Sequence, residues 1–212
     1  MKGLTVFGID LTSTENKPSA CSGLGGKLQP VYLGFVPKDR DVMAILDFYS
    51  PQVIAIDAPL SLPLELHSLE ENPSHQATSP PKGRVCERKL AALGISCYPT
   101  TKKTFIKPLI YRGIQLKNKL AQMGFKVIEV YPYASKVRLF GKPVPRKNTS
   151  QGIALLKEHL TNLLPALEPY LGIFNHDLCD AAIAAYTAFL YCQNMVDALG
   201  NEEEGLIFIP HK

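Results

Sequence analysis

Three carboxylates end, or nearly end, short apolar runs of this chain. Asp10 closes GLTVFGID (3–10), Asp57 closes the acid-bearing part of VIAIDAP (53–59), and Glu129 lies within FKVIEVYP (125–132). Such runs, rich in β-branched residues, predict buried strands, and ligands of open α/β sheets sit at the carboxyl ends of the strands. If these strands are neighbours, their acids converge and repel one another, and one or more stays protonated. A divalent cation removes that conflict. Hard oxygen donors with no Cys or His among them suit Mg²⁺ or Mn²⁺. The helix HDLCDAAIAA contributes Asp177 and Asp180, three residues apart and facing the same way. Each acid also has an ordinary reading. Asp10 could bond the Thr12–Thr14 turn, Asp57 could be an Asx-type strand stop, and Glu129 could pair with a nearby lysine. Asp177 is an N-cap candidate, the reading preferred for it, and Asp180 sits where the helix dipole favours an acid regardless of function.

The elements that must position these acids follow from periodicity. Residues 3–10 read as a central strand, and 19–36 as two strands joined at the turn dipeptide Gly25-Gly26. DRDVMAILDFYS (39–50) carries Val42, Ile45, Leu46 and Tyr49 at helical spacing, with Asp39 as N-cap. Residues 53–59 are a second strand, stopped by Pro59. From Leu60 to Gly124 the pattern is irregular. A loop or lid with Pro63, Pro73, Pro80 and Pro81 leads to a helix over 84–94, and 101–124 ends in a longer helix with a basic polar face. A strand at 125–132, a short helix ASKVRLFG, a basic loop KPVPRKNTS and an amphipathic helix over 149–164 follow. The Ala-rich helix 176–193 and a terminal strand GLIFIP (205–210) complete the chain, with the acidic run Glu202–Glu204 read as a solvated turn. This order predicts a single α/β domain over 1–212 with a mixed five-stranded sheet flanked by helices. Residues 60–125 are read as an insertion or lid.

The charge is distributed unevenly. Residues 82–147 hold sixteen Lys/Arg against two acids, Glu87 and Glu129, a local net of +14, whereas the remainder carries −10, giving +4 for all 212 residues. A one-sided basic segment is the electrostatic footprint of a polyphosphate partner, nucleic acid above all. Lys102, Lys103, Lys107 and Lys147 are candidate nucleic-acid contacts, unless the segment is an ordinary solvated face.

Several classes are excluded. Apolar residues are 46% and charged residues 20%, values of an ordinary folded protein. No apolar run approaches the roughly 18–20 residues that span a bilayer, so no membrane partner is expected. The apolar stretch after Lys2 is too short for a signal h-region and lacks a cleavage site. Five scattered cysteines without a CxxC pair fit a reducing cytoplasm rather than a disulfide scaffold or zinc ribbon. Cys86 has no His–acid pair to activate it, so a cysteine nucleophile is not expected.

The sequence resembles an uncharacterised family of predicted nucleases with an RNase H-like fold. The stretches that carry the likeness are GIDLTST (8–14), VIAIDAPLSLP (53–63), GRVCERKL (83–90), VIEVYPYA (127–134), KNTSQGIALL (147–156), HDLCDAAIAAYTA (176–188) and GLIFIP. The acidic order is also distantly similar to RuvC-type Holliday-junction resolvases. Asp10, Asp57 and Asp180 match their first-strand, later-strand and helix acids, and Glu129 matches a second-strand acid of the family. Asp57 departs from the Glu a resolvase carries, a shorter reach. The resemblance implies a metal-dependent nuclease in which Asp10, Asp57, Glu129 and Asp180 are catalytic and, with Asp177, hold Mg²⁺ or Mn²⁺, in the cytoplasm that the cysteines indicate. It also implies that Arg84 and Glu87 lie near the site, where Arg84 could hold a phosphate through its planar fork, the ordinary reading being a surface helix with a local ion pair. Two other classes share the fold. One is nucleotide-binding proteins of the sugar kinase, chaperone and actin superfamily, whose first phosphate loop GIDLTST resembles. They use two such domains, and a homodimer would supply the missing half only in part. The other is a non-catalytic nucleic-acid-binding module.

Overall fold

The strands β1 (Thr5–Asp10), β2 (Ser19–Gly25), β3 (Pro30–Val36), β4 (Val53–Asp57) and β5 (Val127–Val130) form the centre of the sheet. The computed structural model describes residues 3–70, 82–146 and 149–212; Lys147, Pro73, Pro80 and Pro81 lie outside the described residues. The order β3-β2-β1-β4-β5, with β2 antiparallel to both neighbours and β1, β4 and β5 parallel, is the RNase H-like arrangement the sequence implied. The sheet has seven strands rather than five. β7 (Gly205–Pro210) adds parallel to β5, and β6 (Val196–Asn201) pairs antiparallel with β7 at the edge. The sequence VDALGN of β6 shows no alternation and few β-formers, so only pairing with β7 makes it a strand.

Period-two alternation divides the core between the two faces of the sheet. Val6 of β1, Val53 and Ala55 of β4, and Ile128 and Val130 of β5 pack beneath α5 (Ser150–Leu163) and α6 (His176–Cys192). Phe7, Ile9, Ile54 and Ile56 face the other way, toward α1 (Asp39–Tyr49) and α3 (Lys107–Gln122), whose Leu46, Leu116 and Leu120 are fully buried there. The helix α2 (Val85–Ala92) packs against β6 and β7, and α4 (Pro132–Phe140) against α6 and β7. A 3₁₀ segment, Pro165–Ile173, links α5 to α6.

The approach of α6 to β1 depends on small residues. Ala181, Ala182, Ala184, Ala185 and Ala188 are buried in α6. Opposite them Gly8 has no room for a side chain, since a Cβ there would collide with the backbone at Ala181 and Ala185. This contact sets the helix that carries Asp177 and Asp180 against the strand that carries Asp10.

Three local expectations change. The first hairpin turns through Gly25–Gln29, not a two-residue dipeptide, with Leu28 in the left-handed region at φ 58°. Lys38, not Asp39, occupies the cap position of α1, because Asp39 is drawn to Arg112 by bonds of 3.1 and 2.7 Å. Asn175, not Asp177, caps α6, its side chain accepting from the Leu178 N–H at 3.0 Å.

Candidate functional site

The alternation that builds the two cores also decides which acids meet. Asp10 has the parity of Val6 and Gly8, and Asp57 that of Val53 and Ala55, so both side chains lie on the α6 side of the sheet. The two residues are paired in register at the ends of adjacent parallel strands. Asp177 and Asp180 descend from α6 onto the same spot. Burial, followed by the charges of Asp57, Asp180 and Asp177 and a hydrogen bond with the Asp177 side chain, pushes the Asp10 carboxyl well above its usual range. Asp10 thus lies within electrostatic reach of the other three aspartates.

Lys136 reaches into the cluster from α4. It is 4% exposed, and its ammonium donates to Asp180 Oδ1 at 2.8 Å. Its place among many lysines in a basic stretch does not single it out. Asp177 is also 2.6 Å from His176 Nδ1 and accepts from the Asn175 amide at 3.2 Å.

Glu129 does not join the four aspartates. It pairs in register with Ile56 rather than with Asp57 and shares the parity of Val127, which packs on the α1 and α3 side. Its carboxylate accepts from Arg84 Nη2 at 2.6 Å, from Arg84 Nη1 at 2.7 Å and from the Leu60 N–H at 2.8 Å. Arg84 is 1% exposed, and its remaining contacts are Glu87 at 3.0 Å and Ser61 at 2.9 Å. All three guanidinium nitrogens are engaged by protein acceptors. Burial disfavours its charge, but the Glu129 and Glu87 carboxylates outweigh that and hold its pKa above the ordinary value.

Two residues extend this second cluster. Glu87 also accepts from the Arg84 N–H at 2.9 Å, from the Thr100 N–H at 2.8 Å and from the Thr100 hydroxyl at 2.5 Å. Glu204, expected in a solvated turn, is buried. It accepts from the Val85 N–H at 2.6 Å and the Leu64 N–H at 3.0 Å, and its backbone carbonyl accepts from Ser61 Oγ. The turn between β6 and β7 thus fastens both the start of α2 and the segment after β4. Nothing in the run Glu202–Glu204 distinguishes its last acid, because its donors lie over a hundred residues away in sequence.

A cleft of about 430 Å³ opens at the carboxyl ends of the strands. Asp10, Asp57, Asp180 and Lys136 line it, as do Tyr98, Tyr131 and Tyr133, and Arg84, Glu87 and Glu129 border it as well. Lys102 and Lys107 are half-buried and Lys103 exposed, in the turn before α3 and at its first residue. Burial pushes the Cys86 thiol up to about 12, so it supplies no thiolate nucleophile. Among the described residues no three His, Cys, Asp or Glu side chains are already drawn together as a metal-holding group. The donor chemistry nonetheless suits a hard cation. The acids around Asp10 are all carboxylates, and Asp10 is driven to keep a proton whose place a cation would take.

A mixed sheet of RNase H-like order with a carboxylate cleft at its parallel strand ends defines the class. The chain belongs to the family described as "Protein of unknown function (DUF429)", whose signature matches residues 38–204. That span holds Asp57, Glu129, Asp177 and Asp180, and Asp10 precedes it. A solved structure of Thermus thermophilus RuvC is similar over 90% of this chain and 97% of that one, at 14% identity and a TM-score of 0.46. No curated protein matches the chain. No helix among the described residues is long and apolar enough to cross a membrane.

Proposed function

We propose that the protein is a metal-dependent nuclease, a single domain with residues 60–125 as an insertion, that hydrolyses phosphodiester bonds of DNA or RNA. The observation that carries this reading is that Asp10, Asp57 and Asp180 line one cleft, with Asp10 buried and facing the charges of Asp57, Asp180 and Asp177. Asp10, Asp57, Asp177 and Asp180 are the residues that would hold Mg²⁺ or Mn²⁺. When bound, the cation would neutralise these carboxylates and activate a water for attack on phosphorus.

The chain's own groups have separable parts in this scheme. Lys136 fixes the orientation of Asp180. Burial and the Asp57 charge keep the Tyr131 phenol protonated well beyond neutrality, and its hydroxyl donates to the Ser96 carbonyl at 3.0 Å, holding the cleft wall. Glu129, Arg84 and Glu87 position the strand ends and α2 rather than touching the reacting phosphate. Lys102, Lys103 and Lys107 meet the backbone of the nucleic acid, with Lys147 as a further candidate.

The nucleotide-binding alternative is disfavoured by the loop after β1. Thr12 donates its hydroxyl to the Thr14 and Lys17 carbonyls at 3.0 and 2.8 Å, and Arg112 Nη1 binds the Thr12 hydroxyl at 2.7 Å and the Thr12 and Thr14 carbonyls at 2.8 and 3.0 Å. A loop that turns carbonyls and its hydroxyl toward an internal arginine is not built to cradle phosphate.

The test is a panel of single-stranded, duplex, hybrid and branched substrates incubated with Mg²⁺ or Mn²⁺. The reading expects cation-dependent cleavage by the wild type and none by Asp10→Asn. Binding without cleavage of any substrate would favour the non-catalytic module, and thermal protection by ATP but not by oligonucleotides would favour the nucleotide-binding class.

A further inference from the structure

Tyr98 and Phe105 are 62% and 72% exposed, and they contact each other edge to face with ring centroids 4.6 Å apart. Large aromatic rings held this far into water are normally buried. They are not on a loose loop. Between them lies Thr100, which is fully buried and bound twice to Glu87, and the loop tightens again where the Thr104 N–H donates to the Thr101 carbonyl at 3.1 Å. The segment's other end is fastened by Tyr131, whose hydroxyl holds the Ser96 carbonyl. Tyr98 forms part of the wall of the cleft that contains Asp10 and Asp57. Lys102 and Lys103 stand in the chain between the two rings.

We infer that Tyr98 and Phe105 form a stacking platform for an unpaired nucleobase, so that the cleft takes single-stranded or locally unpaired nucleic acid rather than continuous duplex. The inference rests on the nuclease reading and names its substrate class. Bases of a duplex present no free face, whereas an unpaired base offers a π-surface that a rigid aromatic accepts in any sequence. The neighbouring lysines match the phosphates on either side of that base. Because Glu87 and Tyr131 already fix the loop, little ordering cost is left for binding. The same Glu87 that pairs with Arg84 therefore also aims the platform.

Fluorescence anisotropy without divalent cation tests this, so that binding is read apart from cleavage. The probes are labelled single-stranded DNA and RNA, the corresponding duplexes, and an abasic single strand with the same number of phosphates. The wild type should bind the base-bearing single strands about tenfold more tightly than the abasic strand. The double variant Tyr98→Ala/Phe105→Ala should lose that advantage, keep its abasic affinity and melt at the wild-type temperature, since both rings are exposed. Tyr98→Phe and Phe105→Tyr should retain the advantage. A preference for RNA or DNA then identifies which unpaired strand is taken. Unchanged affinity in the double variant, or duplex bound as tightly as single strand, overturns the platform and leaves the nuclease reading standing. Failure of the wild type to bind any probe at low salt overturns both. Self-association that disappears in the double variant would make the pair an interface between copies and overturn the platform.

Discussion

Two groups of acids border the same cleft and resolve their charge to different degrees. At the start of α2, Glu129 and Glu87 close around Arg84, and Glu204 nearby accepts from two backbone N–H groups. On the α6 side, Asp10 lies among Asp57, Asp177 and Asp180, and its carboxyl is pushed upward. A buried acid satisfied by protein donors is part of the framework. An acid that the fold crowds with other acids carries a standing electrostatic cost, and such a cost marks a place shaped for something other than stability. The difference is what the proposed function rests on: it treats the first cluster as framework and the second as the site of chemistry.

Breaking the satisfied cluster should have the largest effect. Arg84→Ala strands Glu129 and Glu87 without their cation and should cost about 3–5 kcal/mol in urea unfolding. Arg84→Lys should recover only part of this, since an ammonium cannot bridge Glu129 through two parallel bonds. Replacing the pair together, Arg84→Met with Glu129→Met, should be far milder than Arg84→Ala. A double variant as unstable as the single one would mean that the pair is not the source of the cost.

Asp10→Asn should act the opposite way. Activity should fall by at least about a hundredfold, while stability at neutral pH rises. The sign follows from linkage: the folded state holds the Asp10 proton to higher pH than the unfolded chain does. Wild-type stability therefore falls as pH climbs from the ordinary carboxylate range through the raised Asp10 pKa. The gain of the variant should be present above that window and vanish below about pH 4. Thermal melts of both proteins across pH check this, and a gain that persists into acid would contradict it.

Gly8→Ala should cost about 1–3 kcal/mol by forcing α6 off β1. It should also lower the Asp10 pKa toward normal as Asp177 and Asp180 retreat, which carboxyl NMR titration would detect. Asn175→Ala, which removes the cap of α6, should have the smallest effect, about 1 kcal/mol. Asn175→Asp should be nearly neutral by the same denaturation measurement.

The strands ending in Asp10 and Asp57 and the helix bearing Asp180 were legible because each joins a strong apolar pattern to a misplaced acid. The face of Glu129 was not. A parallel strand buried on both sides reads as one apolar run, so its sequence does not say which side an acid takes. Only the register with Ile56 decides it. The positive stretch 82–147 was legible as composition, but three of its cations, Arg84, Arg112 and Lys136, are internal. Their partners Glu129, Asp39 and Asp180 lie at least 44 residues away in sequence. Glu204 and β6 were hidden for the same reason, being defined by contacts made only after the sheet closes.

Calorimetric titration of Mg²⁺ and Mn²⁺ into the wild type, Asp10→Asn and the Arg84→Met/Glu129→Met pair tests the division between the clusters most directly. Saturable cation binding is expected in the wild type, with its loss in Asp10→Asn and its retention when Arg84 and Glu129 are replaced. Binding that survives Asp10→Asn, or that disappears only with Glu129, would contradict that division.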